Sequence, residues 1–437
     1  MKSIKEYELM ISKGEYEAYY FLGLIYEKGF NVPIDLNKAY EMYSEGVKKE
    51  VAKCYYGLAT LFKEGIGVEV DEAKAKELYE IALPLIHKQS DKGDSYAAMA
   101  IADSYYLGRG VLQSYKEAGK WFRKAADLGC EEAQNIIADM YYKEAESMID
   151  YEVAVYWYTK SAEQGSIYGQ IKLAQCYYDG LGVECDLEKA AYWYTKAGEQ
   201  GSAYAQRQLG SFYLYGYDDE LTTQDYKKAV YWYTKSAEQG YQYAQVNLGD
   251  SYKEGSGVSQ DAEKAFYWYR KAAEQGNPNA QYQLGEYYSS GIQGKDDYGQ
   301  AFYWFNKAAI GGSIEAINNL GDFYYYGIGI EKDYEKAIKC YRDAANHDNV
   351  EAQIQLANCY FYGEGVTQDY EQAVHWYTKA AEHGEPYVLY QLGNCYYEGK
   401  GVAADPKEAL RWYLLASKKE YPPADKKIAE LLGNAFV

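Results

Sequence analysis

The chain has 437 residues, 48% of them hydrophobic and 25% charged, and its 65 acidic residues outnumber 45 basic ones to give a net charge of −20. The apolar content, with only 7 prolines, excludes bulk disorder, and the charge opposes the extended cationic surface that nucleic-acid binding requires. Mean hydropathy is nevertheless −0.56, because 56 tyrosines stand where most proteins place aliphatic residues.

Helical phase begins near the first residue. Glu6, Tyr7, Met10, Ile11 and Gly14 match, position for position, a helix that recurs down the chain, here termed helix B, so residues 1–14 read as a half-repeat cap. The opening stretch lacks the apolar run of a secretion signal, and no later segment reaches the roughly 18 apolar residues of a membrane span. A cytoplasmic protein without membrane insertion is expected.

From residue 15 to 420 two helical patterns alternate. Helix A carries a small anchor residue, first Ala18, then Cys54, Ala97 and so on to Ala424, with an apolar residue at plus 4, Gly or Ala at plus 5 and usually Tyr at plus 8. These spacings lie on one helical face. Helix B centres on tryptophan: Trp121, Trp157, Trp193, Trp232, Trp268, Trp304, Trp376 and Trp412 are separated by 36, 36, 39, 36, 36, 72 and 36 residues. Trp268, with Tyr269 and Ala272 beside it, is expected to be a buried core aromatic. Between A and B recurs a G-x-G-V-x-x-D loop, as at Gly65 to Val68 and Gly180 to Val183, whose first glycine suits a left-handed C-cap. A lone helix pair cannot bury both apolar faces, so eleven pairs must stack, and residues 421–437 supply a capping A helix. The whole chain, 1–437, is expected to form one solenoid domain.

Three departures interrupt the pattern. Seven extra residues at 84–90 and three within 216–225 are expected as insertions in solvent-facing loops or as partner contacts, and the stretch 143–150 lacks the glycine loop altogether.

The A motif A-x-x-x-L-G-x-x-Y with its G-x-G-V-x-x-D loop, followed by K-A-x-x-W-Y-x-K-A-A-x-x-G, closely resembles the Sel-one-like repeat (SLR) family, relatives of tetratricopeptide repeats. The resemblance spans essentially the whole chain. It implies an all-α, right-handed superhelix of about eleven antiparallel pairs, acting as a scaffold that holds a partner in a concave groove. It brings no catalytic residue and no cofactor. Two further roles stay open: a cytoplasmic immunity protein or inhibitor that occludes a toxin, and a glycan-binding module using stacked tyrosines.

A search for chemistry returns little. Four histidines (His87, His347, His375, His383) are scattered, and no metal motif accompanies them. The glycine loops lack the lysine and strand context of a phosphate cradle. Asp218, Asp219 and Glu220 lack the alternation of a calcium loop. Seven cysteines form no C-x-x-C pair, though Cys176 and Cys185 could meet across a loop.

By analogy with tetratricopeptide repeats, helix A positions minus 1, plus 2, plus 6, plus 9 and plus 10 face the groove. About a third of these positions are aromatic against 17% of the chain, and acids outnumber bases. Asp103, Asp139, Asp250, Glu286, Asp322, Asn358 and Asn394 form a polar ladder at plus 6. Tyr106, Tyr142, Tyr178, Tyr325, Phe361 and Tyr397 form an aromatic row at plus 9, and Tyr56 and Tyr282 at plus 2 begin another. Arg207 is expected to make an internal salt bridge or to read a carboxylate. A polypeptide partner with a basic or amide-rich segment is implied, unless some tyrosines merely pad the seams between repeats.

Overall fold

A computed structural model describes residues 3–30, 32–143, 150–216, 224–291 and 297–434. Twenty-four α-helices and no strand occur among these residues. B helices, from Ile4–Ser12 to Pro406–Ser417, alternate with A helices, from Ala18–Lys28 to Pro422–Asn434. The result is an all-α solenoid of about eleven repeats. By contact density the chain divides into two compact units, Met1–Ala205 and Gln206–Val437.

The glycine loop sets both helix ends. Gly180 closes its A helix at φ 67°, the left-handed cap, and its amide returns to the Cys176 carbonyl. The second glycine, Gly182 (φ 73°), also lies so close to the preceding B helix that a Cβ would fall 2.2 Å from the Tyr151 carbonyl oxygen. Only glycine meets both demands. The aspartate ending the motif then caps the next B helix: Asp186 accepts from the Lys189 amide and Asp261 from the Lys264 amide. These amide bonds hold both carboxyls below the usual range.

In the unit Met1–Ala205 the core is built on the residue after the tryptophan phase. Tyr43, Tyr158 and Tyr194 are among the largest fully buried side chains. Gly23 of the same repeat explains the fit, because a Cβ there would run into the Tyr43 ring, and Gly57 of the next repeat closes on that ring from the other side. The extra residues at 84–90 do not form a loop. They extend the B helix to Glu72–Asp91, with Pro84 inside it. Leu83, Ile86 and Ser90 continue the buried face, so packing outweighs the hydrogen bond that proline removes. Gln89 on the extension reaches back to the Glu17 carboxylate at 2.9 Å and braces the first repeat.

The unit Gln206–Val437 repeats the device. Tyr233, Tyr269, Tyr341, Tyr377, Tyr413 and Phe305 are fully or nearly fully buried, and a Cβ on Gly249 or Gly321 would come within 2.6 Å of the Tyr269 ring and 2.5 Å of the Tyr341 ring. Trp268, expected in the core, is only half-buried. The flat glycine surface of the same repeat's A helix faces the next residue, so the tyrosine takes the enclosed position and the larger indole lies toward the seam.

All seven cysteines are free; the exposed Cys185 thiol bonds the Tyr178 carbonyl at 3.4 Å rather than Cys176. No helix is long and apolar enough among the described residues to cross a membrane. Residues 144–149 and 217–223, which include most of two departures and the acidic trio at 218–220, lie outside the described residues.

Candidate functional site

The plus 6 ladder has a structural foundation that periodicity alone did not reveal. From the fourth repeat onward most of the buried B-helix tyrosines point the hydroxyl at the plus 6 side chain of their own repeat, whereas Tyr43 of the first repeat, with Leu24 at plus 6, donates to Glu27 at 2.8 Å. Tyr269 donates to Asp250 at 2.6 Å, Tyr341 to Asp322 at 2.7 Å, Tyr377 to Asn358 at 2.6 Å and Tyr413 to Asn394 at 2.8 Å. Tyr158 donates likewise to Asp139. The expected open ladder is therefore half-buried and fixed from below. Burial pushes the Asp250 and Asp322 carboxyls above their ordinary range, against the lowering effect of the tyrosine bonds.

A second donor arrives from the following repeat. The residue at minus 1 reaches back, so that Tyr168 donates to Asp139 at 2.7 Å and Tyr387 to Asn358 at 3.1 Å, while Gln175 donates to the Tyr204 hydroxyl at 2.9 Å. Positions minus 1 and plus 6 thus share one surface across these three seams. In the eighth repeat, Phe305 lacks the hydroxyl, and Asn319 of the next A helix donates to Glu286 at 2.8 Å instead. Asp103 is the exception: Phe122 occupies the tyrosine position, and Asp103 makes no hydrogen bond or ion pair with any described residue.

The aromatic rows separate by exposure. Tyr106 and Tyr178 keep 48% and 53% of their surface and Tyr397 keeps 36%. Tyr142, Tyr282 and Phe361 are half-buried against neighbouring rings; Tyr142, for example, meets Tyr151 edge-on at 5.4 Å. Tyr325 is also half-buried and donates to Glu364. Tyr56 does not belong to a presented row: it is buried edge-on against Tyr79 at 5.4 Å. Arg207 makes no ion pair with any described residue; its guanidinium donates to Asn247 at 3.1 Å and Gln208 at 2.7 Å, because amides rather than carboxylates lie within its reach. Exposed tyrosines of this face that were not singled out from sequence include Tyr215, Tyr326 and Tyr362, which all sit at plus 10, and Tyr243 at minus 1. The shared register of the plus 10 set was the available signal. No cluster of three or more metal-ligating side chains occurs among the described residues.

The Sel1 repeat family model matches residues 17–49, 52–83, 95–130, 131–166, 167–202, 203–241, 242–277, 278–313, 314–349, 350–385 and 386–421. This chain belongs to the Sel1 repeat family. A protective antigen present in uropathogenic Escherichia coli strains, which displays an SLR fold, is 33% identical over 100% of this chain and 93% of its own, with a TM-score of 0.75. A Sel1 repeat protein from Oxalobacter formigenes is 32% identical over 59% of this chain and 99% of its own, with a TM-score of 0.49. An immunity protein from Pseudomonas aeruginosa, 22% identical over 51% of this chain and 81% of its own with a TM-score of 0.34, is too remote to bear on function. A comparison with curated proteins gives no match. Sel1 repeat proteins generally mediate protein–protein interaction, and the family is typically non-catalytic.

Proposed function

We propose that this Sel1 repeat protein is a non-enzymatic scaffold that binds a partner polypeptide along the A-helix face. The observation that carries the reading is the row of carboxylates and amides at plus 6, anchored by buried tyrosine hydroxyls and bordered by exposed tyrosines at plus 9 and plus 10. Side chains already held in place lose little entropy on binding, and tyrosine adds contact area at low conformational cost. The carboxylates favour a partner segment rich in Lys, Arg or amide donors.

The test is kinetic. A partner captured on the intact chain is measured against Tyr178→Ala, the pair Tyr326→Ala/Tyr362→Ala, and a control pair on exposed B-helix positions, Glu238→Lys/Glu274→Lys. The tyrosine variants should speed dissociation, each central anchor contributing about 2 kcal/mol, while the control stays near the parent. Loss of binding in the control alone contradicts the reading.

A further inference from the structure

The third repeat departs from its neighbours at several positions at once, and these departures converge on one cavity. In the B helix Tyr115–Asp127, Gly119 stands in the register where the fourth to eleventh repeats place an apolar side chain, among them Val155, Val230, Phe266, Phe302, Ile338 and Val374. Glycine inside a helix costs about 1 kcal/mol relative to alanine. Here it also leaves a hole, since a Cβ at Gly119 would meet no atom within 4 Å. The space is a cavity of about 640 Å³ walled by Leu107, Phe122, Ile136 and Met140, with Tyr106 at its border and Asp103 on its wall.

Asp103 lacks each donor that satisfies its counterparts. The B-helix tyrosine is replaced by Phe122. The Asn319 position of the next A helix is Ile136, and the tyrosine that elsewhere reaches back from minus 1 is Glu132, another acid. An unpaired carboxyl beside apolar walls calls for a donor that brings its own apolar stem. We propose that this cavity receives a lysine or arginine side chain of the partner polypeptide, its aliphatic stem against Leu107, Ile136 and Met140 and its charged head at Asp103.

The electrostatics agree. Burial, and then the Glu132 charge, push the Asp103 carboxyl up to about 7, with Arg109 and Lys28 opposing. Arg109 is itself committed to Glu64 at 3.2 Å. An entering cation favours the ionised acid, so affinity should rise with pH through about 7 as fewer protons must be released. The proposal rests on the A-face reading but uses different residues for its test.

The probes are blocked tripeptides Gly-Lys-Gly and Gly-Arg-Gly, with Gly-norleucine-Gly as control, titrated into the intact protein carrying labelled Ile and Met methyl groups. Shifts at Ile136 and Met140 are expected with the two cationic peptides alone. Asp103→Asn should weaken binding at least tenfold. Gly119→Val should abolish it by filling the hole, and Phe122→Tyr should weaken it by giving Asp103 an internal donor. Both of these last variants should melt at or above the parent temperature, which separates lost binding from lost fold. Equal shifts with norleucine, no shifts with either cation, or parental affinity in Asp103→Asn overturns the proposal. Binding of n-butylammonium as tightly as the peptides makes the ligand a small amine and overturns the peptide assignment. If the peptides fail while Tyr326→Ala/Tyr362→Ala still weakens a captured partner, the cavity proposal falls and the A-face reading stands; the opposite pattern sinks the A-face reading alone.

Discussion

Tyr269→Ala is expected to destabilise the seventh repeat by about 3–5 kcal/mol, the range for removing a buried aromatic, whereas Trp268→Ala should cost clearly less. Tyr269 is almost fully enclosed over Gly249 and its hydroxyl is bonded to Asp250, while Trp268 is half-buried at the seam. Gly249→Val should act on the same contact from the other side, because its first side-chain atom already falls 2.6 Å from the ring. Since solenoid stability is roughly a sum of repeat and nearest-neighbour terms, the loss should appear as earlier local opening in hydrogen exchange over the seventh repeat and its neighbours. Equal effects of the Trp268 and Tyr269 variants would show that the core has been assigned to the wrong register.

The second large effect concerns the ladder. Asp139→Lys should destabilise by roughly 1–3 kcal/mol, because the buried Tyr158 hydroxyl loses its acceptor, while the exposed Tyr168 hydroxyl can turn to water. Asp139→Asn should be close to silent, since an amide oxygen performs the same task natively at Asn358 and Asn394. Urea unfolding of the two variants decides the point: a stable Lys variant, or an Asn variant as damaged as Lys, would mean that the tyrosine bonds contribute little. Charge reversals at this position therefore report on folding before they report on binding.

Much of this architecture was legible in residue spacing. The anchors from Ala18 to Ala424 and the tryptophan series placed the helix pairs correctly, because a repeat that packs on its own copy must keep its phase. The error at Trp268 has a physical cause: periodicity marks the buried stripe of a helix but does not say which of two adjacent aromatics meets the glycine of the facing helix. Pro84 reads as a helix breaker, yet Leu83, Ile86 and Ser90 carry the apolar stripe past it, and tertiary burial overrides local propensity. Arg207 was matched to a carboxylate by charge, whereas the side chains within its reach are amides. The cavity at Gly119 was written in the alignment of the repeats, but its meaning depends on knowing that the plus 6 acid needs a tyrosine hydroxyl.

Two surfaces compete for the partner, since the B helices also expose tyrosines: Tyr192, Tyr231, Tyr267 and Tyr303 each lie edge-on to the next tryptophan with a lysine over the ring. The direct measurement is hydroxyl-radical footprinting of the protein with and without its captured partner, read at individual tyrosines. Binding along the A helices predicts protection of Tyr178, Tyr326, Tyr362 and Tyr397 with no change at Tyr192, Tyr231, Tyr267 and Tyr303. Protection of the second set with the first unchanged would contradict it.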